Sequence, residues 1–283
     1  MKKYGIGMLF SFDGCKECQD YNRPLAAGNK SSFDLIAPKI PLILKYFPNM
    51  TMRMTIHKPT VHTYYENHKF AVDCGFKNTF AAINTFDDWT DEDFKVLEDQ
   101  MYKVADLYIE LIKSGKVVNF NPLIRQYTKI KAIRAGRNRT SNSKHLGYGR
   151  CGIGANGSVV LATNGDLYTC QETYTNKDIR DFFHVGNIWN GVSDERRRQI
   201  FTSYDPAKLR RADGKSCEGC KINQVCDGGC LVRNYTHNLD LNIVPVCVCK
   251  HENLMYDVFL YIEKNLKDNE LFNKTVLNGK GGR

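Results

Sequence analysis

The sequence predicts an α/β fold in two parts, a parallel sheet flanked by helices and then a cysteine-rich block. Three observations predict it. Apolar runs of strand length alternate with amphipathic stretches of helical period three times before residue 114, the pattern of parallel strands joined by crossover helices. Between Ile133 and Arg150 the composition turns to Arg, Lys, Ser, Asn and Gly, which marks a boundary. Beyond it lie eight of the eleven cysteines.

Tyr4–Asp13 is an apolar run whose end carries Ser11, Asp13 and Gly14. It reads as a buried strand with polar groups at its C-terminal end. A polar loop through Asp20, Arg23 and Pro24 leads to an amphipathic helix near Ser32–Phe47, with Phe33, Ile36, Ile40, Leu44 and Phe47 at helical spacing. Ser32 is the expected cap, and Pro38 and Pro41 are places where the helix could kink or restart. Met52–Ile56 is a second strand, Tyr64–Cys74 a helix closed by Gly75, and Thr79–Ile83 a third strand. A longer helix runs from Asp91 to Lys113, its apolar stripe supplied by Phe94, Leu97, Met101, Ala105, Leu107, Tyr108 and Leu111. Three strand–helix units are less than half of an eight-unit barrel. In the second block two β-rich runs flank Asn164-Gly165, a strong hairpin signal. Cys249 opens a final helix reaching about Leu266, and the tail frays after Asn273. The expected divisions are residues 1–135, a basic linker 136–150, a second domain 151–270 and a tail 271–283.

With 42% hydrophobic residues in 283 the chain can bury a real core. No apolar run approaches the length of a membrane span, so no membrane partner is expected. Met1-Lys2-Lys3 runs straight into a strand-like segment with no apolar signal region, from which a reducing, cytoplasmic location is expected. Clustered cysteines there read as metal-bound thiolates rather than a disulfide framework. The net charge of +9 is concentrated between Lys129 and Arg150 and at Arg196–Arg198. No nucleic-acid-binding pattern accompanies it, so the basic stretch reads as a solvated linker and an exposed helical turn, and nucleic acid is not expected as a partner.

The most informative stretch is Cys217-x2-Cys220-x5-Cys226-x3-Cys230, four thiols in fourteen residues with Gly228 and Gly229 before the last. A C-x2-C step lets two thiolates converge on one centre. The spacing alone does not separate zinc from iron–sulfur, since both are held by four-cysteine sets. Cys15-x2-Cys18 is open to three readings: a metal pair, a redox dithiol or two unrelated thiols. Cys74 reads as a buried small hydrophobe.

Taken together, Cys151-x13-Gly165-x4-Cys170, the Cys217–Cys230 stretch, a downstream Cys247 or Cys249, and Gly186-Asn187-Ile188 resemble the SPASM domain of radical S-adenosylmethionine enzymes. Ser11-Phe12-Asp13-Gly14, Asp20, Arg23-Pro24 and Arg53–Ile56 are similar to the fourth and fifth strands of that family's partial barrel. The resemblance spans nearly the whole chain and is nearest in character to peptide maturases and anaerobic sulfatase-maturing enzymes. It implies an α/β fold made of the C-terminal part of an incomplete TIM-type parallel barrel over residues 1–135 and a SPASM domain over 151–270. It implies two auxiliary [4Fe-4S] clusters: Cys151, Cys170 and Cys230 hold the first, and Cys217, Cys220, Cys226 and Cys249 the second, with Cys247 the alternative to Cys249. The first cluster is one ligand short, because Gly152–Gly157 contains no cysteine. Ser11 and Arg53 are the implied contacts to S-adenosylmethionine, the guanidinium suiting its carboxylate.

The implied activity is post-translational modification of a peptide or protein, with an electron donor such as ferredoxin or flavodoxin. Two departures bear on it. The C-x3-C-x2-C loop that holds the S-adenosylmethionine-cleaving cluster is absent from the sequence. A complete member would carry it, with three strand–helix units, ahead of Met1. The chain is therefore expected to be the C-terminal portion of a longer or split enzyme, or a decayed relative, and to use S-adenosylmethionine only when an N-terminal half is supplied. Secondly, Gln171 follows Cys170, where sulfatase-maturing enzymes place an aspartate proposed as base. An amide cannot take a proton there, which favours a different peptide modification. Two rivals use the same thiols, a zinc-binding interaction module and an electron carrier without catalysis.

Overall fold

The computed structural model describes residues 8–26, 28, 30–136 and 159–277. The chain divides into two compact units, residues 1–128 with 254–283, and residues 129–253. Cys151 and residues 137–150 of the basic stretch lie outside the described residues.

Unit 1 is an α/β layer. Strands β1 (Phe10–Ser11), β2 (Thr51–Ile56), β3 (Asn78–Ile83) and β4 (Asn119–Asn121) form one sheet in that order, every pairing parallel. Helices α1 (Lys16–Asn22), α2 (Ser32–Ile36), α3 (Ile40–Tyr46), α4 (Tyr64–Asp73) and α5 (Asp91–Lys113) occupy the connections, and α6 (Gln126–Arg134) follows β4. Burial alternates strictly along β2 and β3. Met52, Met54 and Ile56 point into the helix-covered core, and Arg53 and Thr55 point to the other face.

The sheet therefore has four strands where three were expected. Strand β4 carries little sequence signal because it is three residues long, polar at both ends, and runs into Pro122. Its pairing with β3 seats Phe120 at 1% exposure. The expected helix over Ser32–Phe47 is broken. A 3-10 turn at Ala37–Lys39 separates α2 from α3, since Pro38 and Pro41 each remove a backbone donor and clash with the preceding turn. The cap is Ser31, whose side chain accepts from the Asp34 N–H. Ser32 instead turns inward and is held by Gln19 Nε2 at 3.1 Å. The loop expected through Asp20 contains α1, whose buried face is Cys18 and Gln19, too polar to register as a hydrophobic stripe. By contrast α5 follows its apolar stripe over all 23 residues, opened by a Thr90–Asp93 capping box.

Asp13 explains how the end of β1 is fastened. It is fully buried, its Oδ1 accepts the Thr55 N–H at 2.7 Å, and its Oδ2 lies 2.8 Å from Arg23 Nε. The Asp13 N–H donates to Gln19 Oε1 at 2.8 Å. Gly14 has φ +106°, and a Cβ there would lie 2.4 Å from the Cβ of Asn67 on α4. The turn after β1 thus needs glycine both for its backbone angle and for the close approach of a helix.

Unit 2 begins within α6 and carries an antiparallel meander, β5 (Val160–Leu161), β6 (Asp166–Tyr168), β7 (His184–Asn187) and β8 (Gly191–Val192). The Asn164-Gly165 hairpin joins β5 to β6 as expected. Helix α7 (Gln171–Thr175) follows β6, and α8 (Asp194–Thr202) follows β8. A second, two-stranded parallel sheet pairs β9 (Arg210–Arg211) with β10 (Ile243–Val244), and α9 (Leu231–Asn238) lies between them in sequence. Helix α10 (Val246–Leu266) carries the chain from unit 2 into unit 1, where α11 (Glu270–Phe272) leads into a π-helical turn at Asn273–Leu277. The core of unit 2 gathers Leu167, Phe183, Val185, Ile200, Leu231 and Val244, with Cys170, Cys230 and Cys249 packed against it.

Candidate metal centre

The stretch from Cys217 to Cys230 has no strand or α-helix within it and folds as successive turns. One apolar side chain anchors it, Ile222 at 1% exposure. Gly228 and Gly229 adopt φ of +75° and +70°, and a Cβ on them would lie 2.6 Å from Leu209 and 2.8 Å from Val248. Glycine lets the loop press onto Leu209, just before β9, and onto the start of α10. Asn234 of α9, fully buried, donates to the carbonyls of Gly228 at 2.9 Å and Leu241 at 3.0 Å, tying the glycine turn to the segment before β10.

This loop, β9, β10 and the start of α10 enclose a cavity of about 40 Å³. Cys217, Cys220, Cys226 and Cys249 all line it, and Leu209, Ile222, Val244 and Val248 supply an apolar wall. Three of the thiols come from the loop and the fourth from the helix. Cys247 does not line the cavity. Helix α10 begins at Val246, three residues earlier than expected, so both cysteines are helical. Two helical residues that are neighbours but one stand about 200° apart around the axis. The residue preferred from the resemblance, Cys249, is the one that lines the cavity.

The electrostatics agree with this grouping. Burial pushes the Cys249 thiol up to about 12, and the nearby Cys226, Cys217 and Cys220 add to the shift while Arg211 opposes it. Crowded thiols hold their protons until a cation replaces them, which inverts the local preference. Burial also raises Cys247, but the charges that reach it are those of Arg233 and Lys250. Donors address the cavity sulfurs: the Gly228 N–H lies 3.4 Å from Cys226 Sγ and Asn253 Nδ2 lies 3.6 Å from Cys220 Sγ. Such contacts tune thiolate-bound metals. Asn253 is one helical turn beyond Cys249, so the i, i+4 spacing could have disclosed it. Arg211, held by Asp213 at 2.7 Å, had no sequence signal.

Cys170 and Cys230 are part-buried and do not line this cavity. Each stands immediately before a helix, α7 and α9 respectively. Arg233 of α9 binds Glu172 of α7 through both nitrogens, at 3.3 and 3.4 Å. Gln171 is exposed at the start of α7. Among the described residues, no three or more His, Cys, Asp or Glu side chains close to the spacing of a single metal ion.

In unit 1, Ser11 and Arg53 pair directly across β1 and β2. Arg53 lies mid-strand, with Phe80 beside it on β3 and its guanidinium 5.6 Å from that ring. Asp13 is committed to Arg23 and the β2 backbone. Cys15 precedes α1, whereas Cys18 is wholly buried against Thr60 at 3.7 Å with its thiol raised by burial.

No family model and no curated protein matches the chain. Among solved structures it is similar to native anSMEcpe with bound AdoMet, at TM-score 0.62 and 17% identity, over 90% of this chain and 68% of that one. The same protein with AdoMet and the Kp18Cys peptide gives TM-score 0.60 at 16% identity, covering 90% and 68%. With the Cp18Cys peptide it gives 0.60 at 17%, covering 90% and 69%. In fold, this α/β chain is thus similar to anSMEcpe, an anaerobic sulfatase-maturing radical S-adenosylmethionine/SPASM enzyme.

Proposed function

We propose that the chain is the auxiliary-cluster portion of a radical S-adenosylmethionine/SPASM enzyme that modifies a peptide or protein. The observation that carries this reading is the meeting of Cys217, Cys220, Cys226 and Cys249 around one cavity. The residues fit a [4Fe-4S] cluster: four sulfurs, an apolar wall, backbone and amide N–H groups on the sulfurs, and a glycine turn that presses close. Cys170 and Cys230, with Cys151, are assigned to the first auxiliary cluster and the cavity thiols to the second. When bound, such clusters supply one-electron chemistry at potentials set by hydrogen bonding and burial. The protein's part is to exclude water with Leu209, Val244 and Val248 and to hold the sulfurs with Gly228 and Asn253.

S-adenosylmethionine is assigned to the face of the unit 1 sheet bearing Ser11 and Arg53. Arg53 rests on Phe80 and makes no ion pair among the described residues, so its guanidinium is available to a carboxylate. The bound AdoMet and peptides of anSMEcpe support a ligand of this class and a peptide substrate. Without a C-x3-C-x2-C loop in its sequence, this chain acts on S-adenosylmethionine only with a further segment or partner that supplies that cluster. A cytoplasmic setting and a ferredoxin or flavodoxin donor belong to the same proposal.

Anaerobic reconstitution tests it. The expected product is brown, with roughly eight irons and as many sulfides per chain. A colourless protein holding stoichiometric zinc would establish the rival interaction module instead.

A further inference from the structure

We propose that Cys15 and Cys18 are a redox-active dithiol that reduces an external disulfide and closes into a Cys15–Cys18 disulfide, an activity independent of the cluster reading. Cys15 is the N-cap of α1 and Cys18 the third residue of that helix. The Cys15 carbonyl already accepts the Gln19 N–H at 2.9 Å. One helical turn therefore separates the two Cα atoms, about 5 Å, which is within the span a disulfide bridges. The side chains at an N-cap and at the third helical position lean toward one another, as in a capping box. The two sulfurs can meet there with the backbone in place.

Asn67 of α4 holds both cysteines. It is fully buried, its Oδ1 accepts the Cys15 N–H at 2.9 Å, and its side chain hydrogen-bonds the Cys18 thiol. Its Nδ2 donates to Thr63 Oγ1 at 3.1 Å, which fixes the amide in turn. Gly14 makes room for this contact, because a Cβ at that position would lie 2.4 Å from the Cβ of Asn67. One amide thus ties the backbone of the first cysteine to the sulfur of the second.

The two thiols are unlike in access, and that sets their order. Cys15 is part-exposed and Cys18 is wholly buried, so an external disulfide reaches Cys15 first. Cys15 loses its proton and its sulfur attacks, forming a mixed disulfide and releasing one external thiolate. Cys18 then loses its proton and attacks the Cys15 sulfur, which releases the second thiolate. Two electrons and two protons pass from the pair to the external disulfide, giving two thiols. Cys18 Sγ has a donor for the charged step, Asn22 Nδ2 at 3.5 Å. The Thr60 hydroxyl, 3.7 Å away, can rotate to donate as the thiol proton leaves.

The experiment treats the full chain, before and after anaerobic reconstitution, with oxidised glutathione in buffers of graded redox poise, and maps the products by alkylation and mass spectrometry. Lys16 lies between the two cysteines, so trypsin parts them when they are reduced and leaves them joined through sulfur when they are oxidised. Wild type is expected to give the Cys15–Cys18 linkage, with no glutathione retained on either residue. Cys18→Ser is expected to stop at the mixed disulfide, with glutathione held on Cys15. Cys15→Ser is expected to lose the linkage and to leave Cys18 unmodified. An unlinked wild type, whether both thiols stay free or Cys15 keeps glutathione, would overturn the inference, as would glutathione on Cys18 in Cys15→Ser. The wild-type arm decides even if a substitution unfolds the chain, and a negative result there leaves the iron content, and with it the cluster reading, untouched.

Discussion

In unit 1, β2 alone buries Met52, Met54 and Ile56 at 1% exposure or less, and α5 buries Leu97, Met101, Val104 and Ala105 completely. In unit 2, the fourteen residues from Cys217 to Cys230 bury one apolar side chain to that degree, Ile222. The first region closes by removing hydrocarbon from water. The second has too little hydrocarbon to offset the entropy of ordering its turns. Its order is attributed to the Asn234 hydrogen bonds beneath it and to the centre proposed for its thiols. The comparison teaches that a stretch poor in core residues, whose thiols gather around a cavity, is the place to look for chemistry.

The sharpest way to break that contrast is to remove ligands. Cys217→Ala with Cys220→Ala, or iron chelation, should abolish protection of amides 217–230 in hydrogen exchange. The expected cost is of the order of metal-coupled folding, about 10 kcal/mol, while the β2 and α5 amides keep their protection. Equal loss in both units would erase the distinction. Within unit 1, Asp13→Ala strands Arg23 and frees the Thr55 N–H. It should cost about 3 kcal/mol in denaturant unfolding and leave iron content unchanged.

Acid sharpens the contrast on the unit 1 side. His68 is 1% exposed, with Nδ1 3.0 Å from the Tyr64 carbonyl oxygen, and burial lowers its pKa from 6.5 to about 4. The unfolded chain then binds a proton that the folded chain does not between those values, so stability is full above about 6.5 and falls as pH drops toward 4. The loss is on the order of 3 kcal/mol, and His68→Gln should remove that share of the profile of unfolding free energy against pH, leaving the share of His251 in unit 2, which burial also lowers to about 4. The smallest expected effect is at the N-terminus of α5. Thr90→Ala removes the capping box and should cost about 1 kcal/mol in the same assay.

How much of this was legible follows from what each element needs. Strands β2 and β3 and helix α5 carry full apolar patterns because they face a core, and their positions were readable from the residues. Helix α1 and strand β4 were not, because one buries Gln19 and Cys18 and the other buries only Phe120. That Cys217, Cys220 and Cys226 share a cavity with Cys249 rather than Cys230 came from the family resemblance, since spacing alone groups Cys217 with Cys230. So did the preference for Cys249 over Cys247. Arg211 and Asn234 act through folded proximity, which leaves no local pattern. The Arg233–Glu172 pair, 61 residues apart in sequence, left no local pattern either.

X-ray absorption at the iron edge of the anaerobically reconstituted chain tests the central claim most directly. Iron surrounded by sulfur, with iron–iron scattering lost on Cys217→Ala with Cys220→Ala in proportion to one cluster, is the predicted result. A zinc-edge signal with four sulfurs and no metal–metal scattering, or iron unaffected by those substitutions, would contradict it.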